Sequence, residues 1–197
     1  SASTGIGGDM FALYFDAASR QVTALNGSGR SPAALTLEHV RAEGLEQIPL
    51  TSPHAVSVPG AVAGWSDLLQ KHGSMSLSDV LQDAIHYARD GFPVHPVYGN
   101  SWRRTERFLK NANAVDYTPG GFSPQVGQVV QLPGLAESLQ LIADGGAAGF
   151  YTGKVAEAIV RALQKRGGVM TLDDLKNHRS TWEPPIFTDY KGIRVYE

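Results

Sequence analysis

The stretch Asn26-Gly27-Ser28-Gly29-Arg30-Ser31-Pro32 is the starting point for predicting how this chain folds. It follows two short apolar runs, Met10 to Phe15 and Val22 to Leu25, which the polar residues 16–21 separate. This pattern predicts a β-hairpin whose second strand runs into a glycine-rich loop. Such a loop offers backbone N–H groups and the guanidinium of Arg30, so it is a candidate site for an anionic group of a substrate.

The composition narrows the class of protein. The chain has 197 residues, of which 42% are hydrophobic, so it can bury a sizeable core. Its net charge of -2 and its pI of about 6.3 give no basic surface for nucleic acid or for an anionic membrane. No apolar run approaches the roughly 18 residues of a membrane-spanning helix. Because the chain has no cysteine, disulfides, thiolate metal sites and cysteine nucleophiles are excluded from it.

Hydrophobic periodicity and capping residues predict an α+β chain that is rich in helices, with the N-terminal hairpin and a C-terminal strand at Ile193–Tyr196. Helices are predicted at Ala33–Glu43, Ala61–Gln70, from the capping residue Ser76 to Asp90, at Ser101–Leu109, Leu135–Ala143 and Lys154–Lys165, and after the capping residue Thr171. Residues Asn111–Gln131 are predicted to be a long irregular loop. No repeat or linker divides the chain, so a single domain is expected over residues 1–197.

Two glycine-containing segments resemble nucleotide-binding motifs only superficially. In Gly149-Phe150-Tyr151-Thr152-Gly153-Lys154, a phosphate-binding loop would need glycine at Ala148 and a hydroxyl residue at Val155. A helix start with Thr152 as its cap is favoured instead. Gly5-Ile6-Gly7-Gly8 lacks the spacing and the preceding strand of a dinucleotide site, so a tight turn is favoured there.

The histidines do not predict a metal centre. They occupy positions 39, 54, 72, 86, 95 and 178. No two of them have the i, i+4 spacing that places two ligands on one helix face. We therefore predict structural or surface histidines and no metal site.

Ser1 and Arg30 are the two candidates for a functional role. Ser1 could be an N-terminal nucleophile whose own amine serves as the base, but the simple beginning of a chain is the favoured interpretation. Arg30 is the better candidate, because its planar fork of donors matches a carboxylate and stays charged. The alternative for Arg30 is a solvent-exposed loop residue or a structural ion pair.

Seven segments, in order along nearly the whole chain, resemble the γ-glutamyltranspeptidase family of N-terminal-nucleophile hydrolases. No single segment is decisive, but their order and spacing match the family. The matching segments are Gly5–Phe11, Ala24–Pro32, Val58–Trp65, Ala88–Phe92, Phe150–Ala156, Gly167–Leu175 and Tyr190–Val195.

The resemblance implies a four-layer αββα sandwich, of which this chain would be an incomplete part, the central portion of the large subunit. Family members are made as one precursor that cuts itself into a large and a small subunit. The new N-terminal threonine of the small subunit then attacks the γ-glutamyl amide and forms an acyl-enzyme. The resemblance therefore implies no catalytic residue, metal or organic cofactor in this chain, a small subunit as its partner, and no activity for the chain alone. It also suggests a periplasmic or secreted protein.

The loop departs from the family pattern at the residue that matters for the substrate. Family members have an arginine there that clamps the α-carboxylate of the γ-glutamyl group, and the equivalent position in this chain holds Ser28. Serine cannot make a bidentate ionic contact. Either Arg30, two residues later, replaces that arginine, or the pocket accepts a different acyl group.

Three functions remain open at this point. The first is hydrolysis of glutathione and transfer of its γ-glutamyl group, and the second is a β-lactam or other amide acylase of the same fold. Both are expected to use Arg30 and Ser28 as substrate-binding residues. The third is a non-catalytic helical interaction module, which would be expected to end soon after Glu197.

Overall fold

The computed structural model describes residues 4–112 and 114–197, in which helices and short strands alternate. The strands are β1 (Met10–Asp16), β2 (Gln21–Gly27), β3 (Phe92–Pro93), β4 (Val129–Val130), β5 (Thr181–Glu183), β6 (Phe187–Tyr190) and β7 (Ile193–Tyr196). The α-helices are α1 (Leu37–Ala42), α2 (Ala61–His72), α3 (Leu77–Asp90), α4 (Pro96–Asn111), α5 (Pro133–Gly145), α6 (Ala148–Tyr151), α7 (Gly153–Gln164) and α8 (Leu172–Lys176). Short 3-10 turns lie at Pro53–Ala55, Val115–Tyr117 and Pro119–Gly121.

The chain forms two compact units. We call residues 6–74 with 150–197 the hairpin unit, and residues 75–149 with 4 and 5 the helix-pair unit. The single partial domain expected over residues 1–197 stays a prediction.

The hairpin unit is built on the predicted β-hairpin, which the structure confirms. β1 and β2 are antiparallel, with Met10 opposite Gly27 and Asp16 opposite Gln21. β5 then pairs with β2, with Trp182 opposite Leu25, which gives the strand order β1-β2-β5. The sequence analysis did not predict this third strand, because β5 is only three residues long and joins the sheet from a distant part of the chain.

Helix α2 packs against this hairpin, and the beginning of the helix is its most buried part. Its first four residues, Ala61 to Gly64, are all buried. A Cβ at Gly64 would lie 2.8 Å from the sulfur of Met10, so the absent side chain lets helix and strand approach closely. The helix was predicted to end at Gln70 and runs on to His72, where Gly73 ends it.

The helix-pair unit has a core between α3 and α5. Ser76 begins α3 as predicted, since its hydroxyl accepts a hydrogen bond from the Asp79 backbone N–H at 3.1 Å. The buried residues of the two helices are Leu81, Ile85 and Ala88 in α3 and Ala136, Leu139 and Ile142 in α5. This apolar spacing is what the sequence indicated for both helices.

Two helices begin more than two residues away from their predicted starts. Helix α1 begins at Leu37 and not at Ala33, because Thr36 is its cap and accepts from the His39 N–H at 3.2 Å. Helix α4 begins at Pro96 and not at Ser101, because proline fits the first turn of a helix and His95 Nδ1 accepts from the Val97 N–H at 3.2 Å.

The predicted long loop Asn111–Gln131 has more structure than expected. It contains the two 3-10 turns after α4 and ends in β4, which pairs with β3. Side chains of α4 hold it, because Trp102 Nε1 donates to the Tyr117 carbonyl at 2.7 Å and Glu106 accepts from the Ser123 N–H at 2.8 Å. Such contacts between side chain and backbone have no periodic signature in a sequence.

The C-terminal strand was predicted correctly at Ile193–Tyr196. It pairs with β6 in a separate two-stranded sheet. The mixed, helix-rich composition of the fold is thereby confirmed for the described residues. The four-layer sandwich stays a prediction.

Candidate functional site

The glycine-rich loop leaves β2 with its backbone held by side chains. Asn26 Oδ1 accepts from the Ser28 N–H at 2.9 Å, and Asp9 Oδ1 accepts from the Gly29 N–H at 2.8 Å. The sequence analysis expected backbone N–H groups of this loop to face an anion. These two are already engaged, so they are not available to an anion.

A second segment fixes the other side of the loop. The Val58 N–H donates to the Arg30 carbonyl at 2.9 Å. A Cβ on Gly29 would lie 1.8 Å from the Val58 oxygen, and a Cβ on Gly60 would lie 1.9 Å from the Gly27 oxygen. Glycine is therefore required at both positions because two backbones meet there.

The segment before α2 is held in turn by a buried tyrosine. The Tyr151 hydroxyl donates to the Pro59 carbonyl at 2.6 Å and accepts from the Ala63 N–H at 3.1 Å. Burial raises the pKa of Tyr151 to about 12, so the hydroxyl keeps its proton for the Pro59 contact. The sequence analysis assigned Tyr151 no role, since a lone tyrosine beside a helix start carries no signal of such a contact.

His178 is buried against the other side of this tyrosine. Their rings stack with 5.5 Å between centroids and an interplanar angle of 28°. Neither ring nitrogen of His178 has a hydrogen-bond partner among the described residues. Burial lowers the pKa of the His178 imidazole, and the positive charges of Arg30 and Arg179 lower it further. The carboxylates of Asp67 and Asp9 oppose this shift. The imidazole is therefore neutral at pH 7.

The two predicted substrate-binding residues lie on the fixed loop with their side chains available. Arg30 is exposed, and its guanidinium makes no hydrogen bond or ion pair within the part of the chain that the structure describes. Ser28 is half-buried two residues earlier. The arrangement is a rigid backbone that presents one cation to solvent, which suits recognition of a carboxylate.

A group of three residues in the hairpin unit has the composition of a metal site. His39 Nε2 lies 3.2 Å from Glu43 Oε1, and His54 Nε2 lies 2.9 Å from Glu43 Oε2. One ligand atom from each residue lies within 4.8 Å of the others. The spacing between histidines does not reveal this group, because one of its pairs, His39 with Glu43 at i, i+4, joins a histidine to a glutamate.

Ser1 and Thr152 are the remaining candidates from the sequence. Ser1 lies outside the described residues. Thr152 is the cap residue of α7, although its side chain makes no capping hydrogen bond. None of the described helices is both long enough and apolar enough to cross a membrane.

Comparison with known proteins gives a consistent result over the full length of the chain. Residues 1–197 match the family model described as gamma-glutamyltranspeptidase. The chain is 40% identical over 200 residues to the glutathione hydrolase-like YwrD proenzyme of Bacillus subtilis (strain 168). That alignment covers 98% of this chain but only 37% of the relative, so the chain spans little more than a third of that protein's length.

Two solved structures are similar to the chain over nearly all of its residues. The cephalosporin acylase from Bacillus halodurans has a TM-score of 0.92 and 37% identity, over 99% of this chain and 38% of that chain. The γ-glutamyltranspeptidase of Helicobacter pylori has a TM-score of 0.90 and 30% identity, over 99% of this chain and 57% of that chain. The fold of the present chain is thus shared with both proteins.

Proposed function

This chain belongs to the γ-glutamyltranspeptidase family, and we propose that it is the central portion of the large subunit of an enzyme that hydrolyses or transfers γ-glutamyl amides, glutathione among them. The observation that supports this most strongly is the match of all 197 residues to the family model. The relative with the name proenzyme is much longer than this chain, which agrees with a precursor that supplies the nucleophile from another segment.

The proposed role of this chain is to hold the acyl group of the substrate. Arg30 would pair with a carboxylate of that group, and the Ser28 hydroxyl would add a hydrogen bond. The backbone of the loop is already fixed by Asp9 and by Val58, so little conformational freedom is lost when substrate binds. The reaction itself would use the N-terminal threonine of the small subunit, whose amine serves as the base.

An exposed apolar face supports the proposed partner. Phe11, Leu13 and Phe15 alternate along β1 and are 67%, 47% and 54% exposed. Met10 and Tyr14, which alternate with the exposed residues, face the α2 side, where Met10 lies against Gly64 and Tyr14 stacks on His72. We propose that the small subunit covers the exposed face.

A β-lactam or related amide acylase is a second candidate, and one feature favours it. Ser28 stands where the family resemblance places the arginine that binds the α-carboxylate, and Arg30 moves the cation by two residues. A cation in a shifted position suits an acyl group whose carboxylate lies elsewhere, as in a glutaryl side chain. The structural similarity to a cephalosporin acylase is consistent with this choice.

The experiment expresses the full-length gene product and follows its processing and its products. We expect two subunits on denaturing gels, with threonine at the new N-terminus of the smaller one by mass spectrometry. Release of glutamate from γ-glutamyl amides supports the first function, and preferential release of glutaryl-type acids supports the second. An uncleaved product that releases neither acid would favour the interaction module and contradict both.

The partner proposal has its own test in the same protein. Replacing Leu13 by Glu puts a charge on the exposed β1 face, so we expect loss of processing or of subunit association. Leu50 is 97% exposed and belongs to a turn and not to a strand, so Leu50→Glu is the matched control. Equal association of both variants would contradict coverage of the β1 face.

A further inference from the structure

We propose that His39, Glu43 and His54 bind one divalent transition-metal ion of the zinc type. None of these residues belongs to the glycine-rich loop at Asn26–Pro32, and the proposal does not depend on the identity of the acyl group. His39 and Glu43 come from α1 and its last turn, and His54 comes from the Pro53–Ala55 turn. The proposal replaces the expectation, drawn from histidine spacing alone, that this chain has no metal site.

The distances between the ligand atoms fit a shared ion. Bonds of about 2.0–2.2 Å from zinc to nitrogen and oxygen place tetrahedral ligands roughly 3.3 Å apart. Glu43 makes these contacts through its two oxygens, with Oε1 3.2 Å from His39 Nε2 and Oε2 2.9 Å from His54 Nε2, so either oxygen of the carboxylate can approach the ion. One ligand atom from each residue lies within 4.8 Å of the others, so His39 and Glu43 would have to rotate for all three to reach one ion.

The donor chemistry selects the class of ion. Two imidazoles and one carboxylate suit zinc and its neighbours in the first transition row, whereas calcium and magnesium take oxygen ligands. Three protein ligands leave one position for water. Glu43 is exposed, so solvent reaches the cluster from its side.

The side chains divide into a fixed ligand and two adjustable ones. The side chain of His54 is only 4% exposed, so packing holds its imidazole in place. His39 is half-buried and Glu43 is exposed, which gives an ion a path to the cluster. A buried fixed imidazole facing two movable ligands lowers the ordering cost of binding.

A hydrogen-bonded cluster without metal does not satisfy all of these atoms. Glu43 Oε2 takes a hydrogen bond from His54 Nε2 at 2.9 Å. His39 Nε2 is buried and lies 3.2 Å from Glu43 Oε1, but it has no hydrogen-bond partner among the described residues. A buried ring nitrogen that lies near a carboxylate without bonding to it is available to a metal.

The position of the cluster gives the ion a structural role. Residues 31–57 form one segment, and the residues that flank it, Arg30 and Val58, are joined by a backbone hydrogen bond. Within this segment, the ion would connect α1 to the Pro53–Ala55 turn and close the loop between them. An ion that binds the folded chain and not the unfolded one stabilises the fold by its binding free energy.

The affinity is expected to be moderate. Metal-bound histidines usually donate their second ring N–H to an outer partner, and loss of that partner weakens binding by roughly 10- to 100-fold. His54 Nδ1 has no such partner within the described part of the chain. We therefore expect a dissociation constant in the micromolar range.

The experiment measures Zn²⁺ and Co²⁺ binding to the full-length protein after treatment with a chelator. Calorimetry with Zn²⁺ is expected to give one equivalent at this site, and Co²⁺ is expected to show the visible absorption of four- or five-coordinate cobalt. Zn²⁺ should also raise the thermal unfolding temperature. None of these measurements depends on enzymatic activity.

Variants assign the binding to the cluster. Glu43→Gln preserves size and removes the anionic ligand, and His39→Ala removes a half-buried imidazole. Both are expected to weaken binding at least about tenfold. His54→Ala should do the same, but it also removes a buried side chain, so the other two variants are the primary test. The matched control is His86→Ala, since His86 forms an exposed i, i+4 pair with Asp90 at 2.7 Å and has no second histidine beside it in the described structure.

Two results would overturn the proposal. One is the absence of stoichiometric binding at micromolar Zn²⁺ in the wild-type protein. The other is unchanged affinity in Glu43→Gln and His39→Ala, which would show that any bound ion lies elsewhere. Processing and amide hydrolysis are measured in the same variants, and their persistence would leave the proposed enzyme function intact while the metal proposal fails.

Discussion

The Arg30 loop and the His39–Glu43–His54 cluster lie in the same unit but are held in opposite ways. The loop is fixed through its backbone, by Asp9 and by Val58, and the side chain that we propose for substrate binding, Arg30, is exposed. In the cluster, the side chains contact each other and the backbone between α1 and the Pro53–Ala55 turn is irregular. We expect the loop to lose stability when a Cβ is added where two backbones meet. We expect the cluster to contribute little to stability until a ligand binds.

The largest expected effect tests the backbone side of this comparison. Gly60→Ala places a Cβ 1.9 Å from the Gly27 oxygen, and a backbone atom cannot move aside as a flexible side chain does. We expect a loss of about 3 kcal/mol in the free energy of unfolding, measured by urea denaturation of the full-length protein. Gly7→Ala is the control, because a Cβ there meets nothing within 4 Å. Similar losses in both variants would show that the close approach is not what requires glycine.

The next effect concerns the tyrosine behind the loop. Tyr151→Phe removes the hydrogen bond to the Pro59 carbonyl and leaves the buried Ala63 N–H without its acceptor. The expected loss in unfolding free energy is about 1–3 kcal/mol. Tyr98→Phe, on an exposed residue of α4, should change it by less than about 0.5 kcal/mol. If the two substitutions cost the same, Tyr151 does not anchor the segment before α2.

A smaller, pH-dependent effect is expected from His178. Its pKa in the folded protein is lowered, chiefly by burial, so the unfolded chain binds the proton more tightly than the folded one. The contribution to stability is therefore complete above the ordinary value of 6.5 and is lost as the pH falls below it. His178→Phe keeps a ring against Tyr151, and its stability should fall less steeply between pH 7 and pH 5. Identical slopes for variant and wild type would contradict this.

The smallest effect tests the side-chain side of the comparison. Without metal, Glu43→Gln should lower the free energy of unfolding by no more than about 0.5 kcal/mol, because the amide oxygen of glutamine can still accept the hydrogen bond from His54 Nε2. The same variant should remove the increase in unfolding temperature that Zn²⁺ gives the wild type. A large loss without metal would mean that the cluster is a structural ion pair and that the two regions are held more alike than we conclude.

The sequence predicts those features of the molecule that depend on local patterns. The hairpin, α2, α3 and the C-terminal strand follow apolar periodicity and capping residues, and the structure confirms them. The glycines of the loop were recognisable as a turn signal. Their actual reason, the approach of Val58 and Gly60, becomes visible only when two distant segments meet. Tyr151, His178 and the partnership of His54 with Glu43 depend on such meetings, so no local pattern could reveal them.

The central claim is that Arg30 recognises a carboxylate of the acyl group, and steady-state kinetics of the full-length enzyme test it most directly. The measurement compares KM for acidic and neutral acyl donors in the wild type, in Arg30→Ala and in Arg104→Ala, an exposed arginine of α4 as control. We predict that Arg30→Ala raises KM for the acidic donor about 10- to 100-fold and leaves the neutral donor within about twofold, with Arg104→Ala like the wild type. Equal changes for both donors in Arg30→Ala would contradict the claim.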